Sequence, residues 1–306
     1  GYPDGRGIMP PGPRLAALHD PENQLPLTDA TPGFDLTQVE RERDLGFNGS
    51  YLVVREFSQD VVGFWDYCLR EAKRLFADPR LPQPYVVSAQ FIGAKLIGRW
   101  PNGSSLARFP YLPRSDNREV AATHETIRAT THPEEGHEPV EKPPSGEAGG
   151  SGSDNDFLFG TEDPEAMRCP FGAHIRRANP RDSLAPGAAD EIGIVNRHRI
   201  IRVGRPLARR EKGSPGILFM CLNGDIERQF EFIQQTWLRN PVFHGLTCEK
   251  DVIVGDGEEG ACSFTIPTRN GPVRLSSMSE PFVKARGGGY FFLPGKRLVE
   301  FLADPL

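Results

Sequence analysis

Residues 131–156 (THPEEGHEPVEKPPSGEAGGSGSDND) hold two apolar side chains, Val140 and Ala148, among seven acids and one lysine. A stretch so poor in apolar surface cannot offset the entropy of ordering it. Any fold of this chain must therefore be assembled from segments on either side of an acidic insertion. With histidine neutral, the stretch carries −6 against −5 for the whole chain, and −5 minus −6 leaves about +1 on everything else. Binding a phosphate backbone needs clustered Lys and Arg on one face, so nucleic acid is not an expected partner.

The flanking segments alternate between two hydrophobic periods. Ser50 to Phe57 (SYLVVREF) is rich in β-branched and aromatic residues and reads as a strand. Val62, Trp65, Cys68, Leu69, Ala72, Leu75 and Phe76 then recur at the three and four spacing of a helix. Beyond the insertion, Arg199–Val203 reads as a strand and Gly216–Leu222 as a second, fully buried one. Ile226, Phe230, Ile233 and Trp237 step by 4, 3 and 4, a helix. Gly289–Leu293 (GYFFL) is a last strand, and Lys296–Leu302 a short amphipathic helix. The order β-α-β-β-α-β predicts an α+β, ferredoxin-like (split βαβ) fold with long insertions. Residues 49–306 are expected to form this domain, with a flexible insertion at about 113–156, and residues 1–48 to be the tail of a preceding half.

At 306 residues, 38% hydrophobic and 25% charged, the chain has the balance of a globular protein. The longest apolar run, Ile217–Leu222, is six residues, against the 18 or more of a membrane-spanning helix, so no membrane partner is expected. Five cysteines with no CxxC pair signal neither a disulfide framework nor a zinc site. Free, mostly buried thiols are expected, and their odd number favours a cytoplasmic location. The chain opens at Gly1 on a glycine-rich turn rather than a signal peptide, which predicts that the numbering begins inside a longer product or after processing.

Three segments combine a charge with a setting that would perturb it. Gly1-Tyr2-Pro3-Asp4-Gly5 holds Asp4 between glycines that permit close approach to a ligand, although x-Pro-Asp-Gly is also a common surface turn. Cys169 to Asp182 (CPFGAHIRRANPRD) carries His174 with three arginines within seven residues. Such a histidine can be a core residue satisfied by a carbonyl. It can equally be a neutral imidazole ligand for iron, with the arginines neutralising carboxylates of an anionic cofactor. In His198 to Gly204 (HRIIRVG), alternation puts Arg202 on a face with Ile200 and Gly204, where a buried cation needs a partner or a task.

Taken in this order, the three segments resemble the dye-decolorizing peroxidases, haem peroxidases in which two ferredoxin-like halves pack into an α+β barrel. The first resembles the family's GxxDG motif, the second its proximal-histidine segment and the third its distal-arginine strand. Asn48–Trp65, Ala94–Leu106, Gly216–Trp237 and Arg286–Pro294 are similar too.

This resemblance implies haem b (iron protoporphyrin IX) with His174 as axial iron ligand, Asp4 as distal acid-base group and Arg202 as distal cation. It implies Arg181 on a haem propionate, Asp251 accepting the other ring N–H of the axial imidazole, and Ile217 and Phe219 lining the distal pocket. Gly204 departs from relatives that carry Asn two residues after the arginine. The implied reaction reduces hydrogen peroxide while oxidising dyes, phenolics or other organic reductants. Because the family has a ferredoxin-like half before the GxxDG motif, a complementing polypeptide supplying that N-terminal half is expected. A haem-binding or regulatory subunit with little turnover is the alternative, and a structural partner without cofactor a third. Of the tryptophans, Trp65 and Trp237 lie on helical apolar stripes and are read as core, so no radical site is assigned.

Overall fold

The computed structural model describes residues 12–28, 42–81, 87–114, 155–185, 187–188, 190–207, 216–255, 263–278 and 281–303. Asp4 with its glycine motif, and nearly all of the acidic insertion, lie outside the described residues. In chain order the elements are β1 (Arg14–Ala16), β2 (Glu42–Asp44), β3 (Ser50–Gln59), α1 (Val61–Leu75), α2 (Ala89–Ile97), α3 (Phe159–Glu162), α4 (His174–Ala178) and α5 (Glu191–Asn196). They continue with β4 (Ile201–Leu207), β5 (Gly216–Asn223), π-helical turns at Glu227–Glu231 and Ile233–Leu238, β6 (Phe264–Ile266), β7 (Val273–Leu275), β8 (Val283–Leu293) and α6 (Lys296–Ala303). Two compact units result: a sheet unit of residues 1–58, 196–233 and 285–306, and a helix-rich unit of residues 59–195 and 234–284.

The sheet unit holds a four-stranded sheet in the order β4-β5-β3-β8 and the antiparallel pair β1-β2. Strand β5 is antiparallel to β3, with Val53 opposite Cys221, and also antiparallel to β4, with Arg202 opposite Cys221. Strands β3 and β4 are therefore parallel to each other with β5 inserted between them, which is the split βαβ arrangement that the sequence predicts. Val53, Cys221 and Phe230 form its small core, with Phe230 carried by the first π-helical turns. Only Cys221 and Asn223 are buried along β5, not the whole strand as its apolar run suggests, because Phe230 covers just one end of the face. Strand β4, at the edge of the sheet, is exposed from Ile201 to Pro206, so Arg202 is itself exposed although it shares the face of the buried Cys221.

The helix-rich unit is organised by α1 and α2. Asp60 caps α1 by accepting from the Gly63 N–H at 2.9 Å, and Cys68, Ala72 and Leu75 of the expected stripe are buried. Val62, in the first turn, is exposed instead. Helix α2, which periodicity does not reveal because it is buried from Ala89 to Leu96, is capped by Ser88 accepting from the Phe91 N–H at 3.2 Å. Phe91, Ile92, Leu96, Phe264 and Ile266 join the α1 residues in one core. Trp237 is buried as read, and so is Trp100, whose Nε1 donates to the Phe109 carbonyl at 2.7 Å. Trp65, read as core, is instead 36% exposed: its place in the first turn of α1 leaves part of the ring in the open although it meets Phe64 edge-on and lies close to Gly93 of α2. Cys68, Cys169 and Cys221 are free and buried and Cys248 is free and exposed, as expected of them, while Cys262 lies outside the described residues. Among the described residues no helix is long and apolar enough to cross a membrane.

Candidate functional site

Helix α4 is short for a reason legible in its sequence. A turn closed by the Ala173 N–H on the Pro170 carbonyl at 3.0 Å delivers His174 to its first position. At the other end Pro180 disfavours helical backbone at Asn179, which terminates the helix. The preceding element fixes its place: Gly98 ends α2 in left-handed backbone (φ 97°), and a Cβ there would lie 3.2 Å from Ile175 Cβ and 3.3 Å from Cys169 Sγ. Only glycine both adopts that conformation cheaply and lets the segment carrying His174 approach so closely.

The His174 Nδ1 lies 2.9 Å from Asp251 Oδ2. Since an ionised carboxylate only accepts, Nδ1 is the donor and the ring's lone pair resides on Nε2. The other Asp251 oxygen accepts the backbone N–H groups of Ile253 at 3.0 Å and Val254 at 2.9 Å. Burial of this fully enclosed carboxyl would raise its pKa. The electrostatic pull of the His174 ring and its hydrogen bond, the Val254 N–H and the Arg177 guanidinium outweigh burial and hold it below the usual carboxylate value. The aspartate is thus kept ionised to fix one tautomer and one orientation of the ring, and it raises the basicity of Nε2.

Two of the three arginines near His174 are not available to an anionic cofactor. Arg176 is 1% exposed, donates from Nη1 to Asp163 Oδ2 at 3.0 Å and to the Cys169 carbonyl at 2.8 Å, and lies 4.5 Å from the centroids of both Phe159 and Phe171. Arg177 is fully buried and donates to the carbonyls of Trp237, Asn240 and Glu249. Burial lowers its pKa to about 10, and the charges of Asp251 and Glu249 oppose that fall. Arg181 is the half-buried one. In left-handed backbone (φ 57°), it stacks 3.8 Å over Phe157 and donates to the carbonyls of Phe157 at 2.5 Å and Asn155 at 2.8 Å. Sequence reasoning did not single out Asp163, although an acid is what a buried arginine next to the histidine segment requires.

In the sheet unit, the register sets Arg202, Phe219 and Ile217 on one face, since Arg202 opposes Cys221, Gly204 opposes Phe219 and Pro206 opposes Ile217. Phe219 packs against Phe57 and Phe230, with ring centroids 6.2 and 6.1 Å away. At Gly204 a Cβ would lie 2.8 Å from Ile217 Cδ1, so the isoleucine occupies the space that a side chain at 204 would need.

Among the described residues no three His, Cys, Asp or Glu side chains converge as a metal site. His174 thus offers one oriented nitrogen, the donor set that suits an iron already held by the four nitrogens of a macrocycle.

No family model matches the chain. It is 28% identical to the multifunctional dye peroxidase of an Amycolatopsis species, over 80% of this chain and 47% of that protein. It is 26% identical to a dye-decolorizing peroxidase of Mycetinis scorodonius, over 95% and 50%. In three dimensions it superimposes on an ancestral D-type dye-decolorizing peroxidase with a TM-score of 0.58 at 27% identity, covering 83% of this chain and 51% of that one. The chain is related to the dye-decolorizing peroxidases. It spans about half the length of the curated relatives it matches. These dye-decolorizing peroxidases also correct one expectation, that of a separate complementing polypeptide. They carry the matched region inside a single longer chain, and the alignment takes up 80–95% of this one, so a half supplied by another protein has no support.

Proposed function

We propose that the protein is a haem peroxidase of the dye-decolorizing kind, reducing hydrogen peroxide and oxidising dyes, phenolics or other organic reductants. The observation that supports this reading is the His174–Asp251 pair, which fixes the tautomer and orientation of the imidazole and buries the counter-charge behind it. Haem b, when bound, would hold the two oxidising equivalents.

This chain's own residues would do the rest. His174 would bind the iron, with Asp251 increasing its electron donation. Arg181 would meet a haem propionate, a role suited to a guanidinium fork. Asp4 would take a proton from one peroxide oxygen and return it to the other, through a water, and Arg202 would stabilise the charge that develops on the departing oxygen. Ile217 and Phe219, sharing the face of Arg202, would keep that region apolar.

A carboxylate stays a base at a pH where a histidine is protonated, since their ordinary pKa values differ by about 2.6. Activity is therefore expected to peak in the acid range. The test is an absorption spectrum together with peroxide-dependent bleaching of an anthraquinone dye. The wild type should show a Soret band and turnover, His174→Ala should lose the band, and Asp4→Asn should keep the band and lose turnover. A Soret band without turnover would favour the non-catalytic haem-binding alternative.

A further inference from the structure

A cavity of about 450 Å³ lies within the helix-rich unit, and neither His174, Asp251 nor Arg181 lines it. Its wall has two characters. Phe91, Tyr111 and Ile266 give it aromatic and aliphatic surface, while Arg80, Lys95, Arg168 and Arg269 set four cations against one acid, Glu165.

Lys95 is the unusual member. It is 1% exposed, and its ammonium donates to the Arg168 carbonyl at 2.5 Å and the Met167 carbonyl at 3.4 Å, with the Phe91 ring centroid 5.2 Å away. Two carbonyls serve three N–H donors, and no carboxylate among the described residues lies within ion-pairing distance of it. A buried charge in that position is costly unless paired. Desolvation accordingly pulls its pKa down to about 8. The neighbouring arginines carry the same sign of charge and supply no counter-charge. Arg168 spends Nη1 on the Ala107 carbonyl at 2.9 Å, and Arg269, at the exposed rim, makes no hydrogen bond or ion pair among the described residues.

We propose that this cavity binds a small organic anion, a carboxylate on an aromatic body, with the carboxylate among Lys95, Arg168 and Arg269 and the ring against Phe91, Tyr111 and Ile266. The volume falls in the range of small-molecule sites, about 300–1,000 Å³. Guanidinium and ammonium groups recognise carboxylate through charge-assisted bonds. The apolar part of the wall argues for an organic body over an inorganic ion. This assignment does not depend on the peroxidase reading, because binding is measured without turnover.

The experiment is isothermal titration calorimetry of the full chain as isolated, with benzoate as probe, benzamide as its uncharged counterpart and inorganic phosphate as the bodiless anion. Lys95 is buried, so Arg269→Glu, at the rim, is the variant that leaves folding intact. Benzoate should bind, benzamide and phosphate at least about tenfold more weakly, and Arg269→Glu should weaken benzoate about tenfold while leaving benzamide unchanged. The proposal is overturned by no benzoate heat at about 10 mM, by equal binding of benzamide or phosphate, or by an affinity indifferent to Arg269→Glu. Benzoate binding that shifts a Soret band and ignores Arg269→Glu would also overturn it, placing the ligand at the His174 site.

Discussion

The Asp251 carboxylate holds His174 Nδ1 at 2.9 Å on one oxygen and two backbone N–H groups on the other, so the imidazole is oriented by a group that is itself immobilised. Asp251→Asn preserves the shape and removes the charge. Supporting groups of this kind are worth about 10- to 100-fold in metal affinity or activity. The variant should lose haem affinity or dye turnover by that factor and show a raised reduction potential in a spectroelectrochemical titration. An unchanged potential would detach Asp251 from the role given it.

Asp163 and Arg176 form an ion pair at 3.0 Å with both side chains enclosed. Removing one partner strands the other's charge, which costs about 3–5 kcal/mol. Asp163→Asn should lower stability by that amount in urea unfolding. The exposed pair Lys296–Glu300, at 3.4 Å on α6, is the internal control. There Glu300→Gln should change stability by less than about 0.5 kcal/mol.

Gly98 joins α2 to the segment bearing His174. An L-residue in its left-handed backbone costs about 1–2 kcal/mol before any crowding against Ile175 and Cys169 is added. Gly98→Ala should therefore lower the thermal midpoint, and, by pushing Ile175, broaden the spectrum of bound haem.

Gly204 and Ile217 share one volume. Gly204→Asn, which places there the side chain that the family resemblance implies, should destabilise the protein alone and be tolerated beside Ile217→Ala. A double-mutant cycle is expected to give a coupling of about 1 kcal/mol. Additive effects would mean that the two side chains do not compete.

Burial lowers Lys95 from 10.5 to about 8. Between those values the folded protein binds fewer protons than the unfolded chain, so the contribution of position 95 to stability rises with pH across that window and is at its least favourable below about pH 8. Compared with Lys95→Met, the wild type should gain on the order of 3 kcal/mol in urea unfolding between pH 8 and pH 10.5. A constant difference between the two proteins across that range would contradict the burial argument.

The sheet was legible because Ser50–Phe57 is rich in β-branched and aromatic residues and Gly216–Leu222 is an apolar run of strand length, and the order of the elements matched the split βαβ pattern. Strand β8 begins at Val283, earlier than GYFFL suggests, because Gly287, Gly288 and Gly289 read as a breaker yet pair as strand. Helix α2 was hidden for the opposite reason, since a helix buried all round has no polar face to mark its period. At the site, the histidine was legible by its neighbours and Asp251 by resemblance alone, 77 positions away in the chain. Three nearby arginines looked equivalent in sequence. Burial separates them, because α4 turns Arg176 and Arg177 inward and ends before Arg181.

The backbone crosses between its two units at 58/59, 195/196, 233/234 and 284/285. Neither unit is then a continuous stretch of polypeptide, and no single cut or deletion can release one of them whole. Grafting the histidine-bearing unit onto another scaffold would require two inserts placed at separate points, and a protease nick in either would leave fragments that still depend on each other to refold.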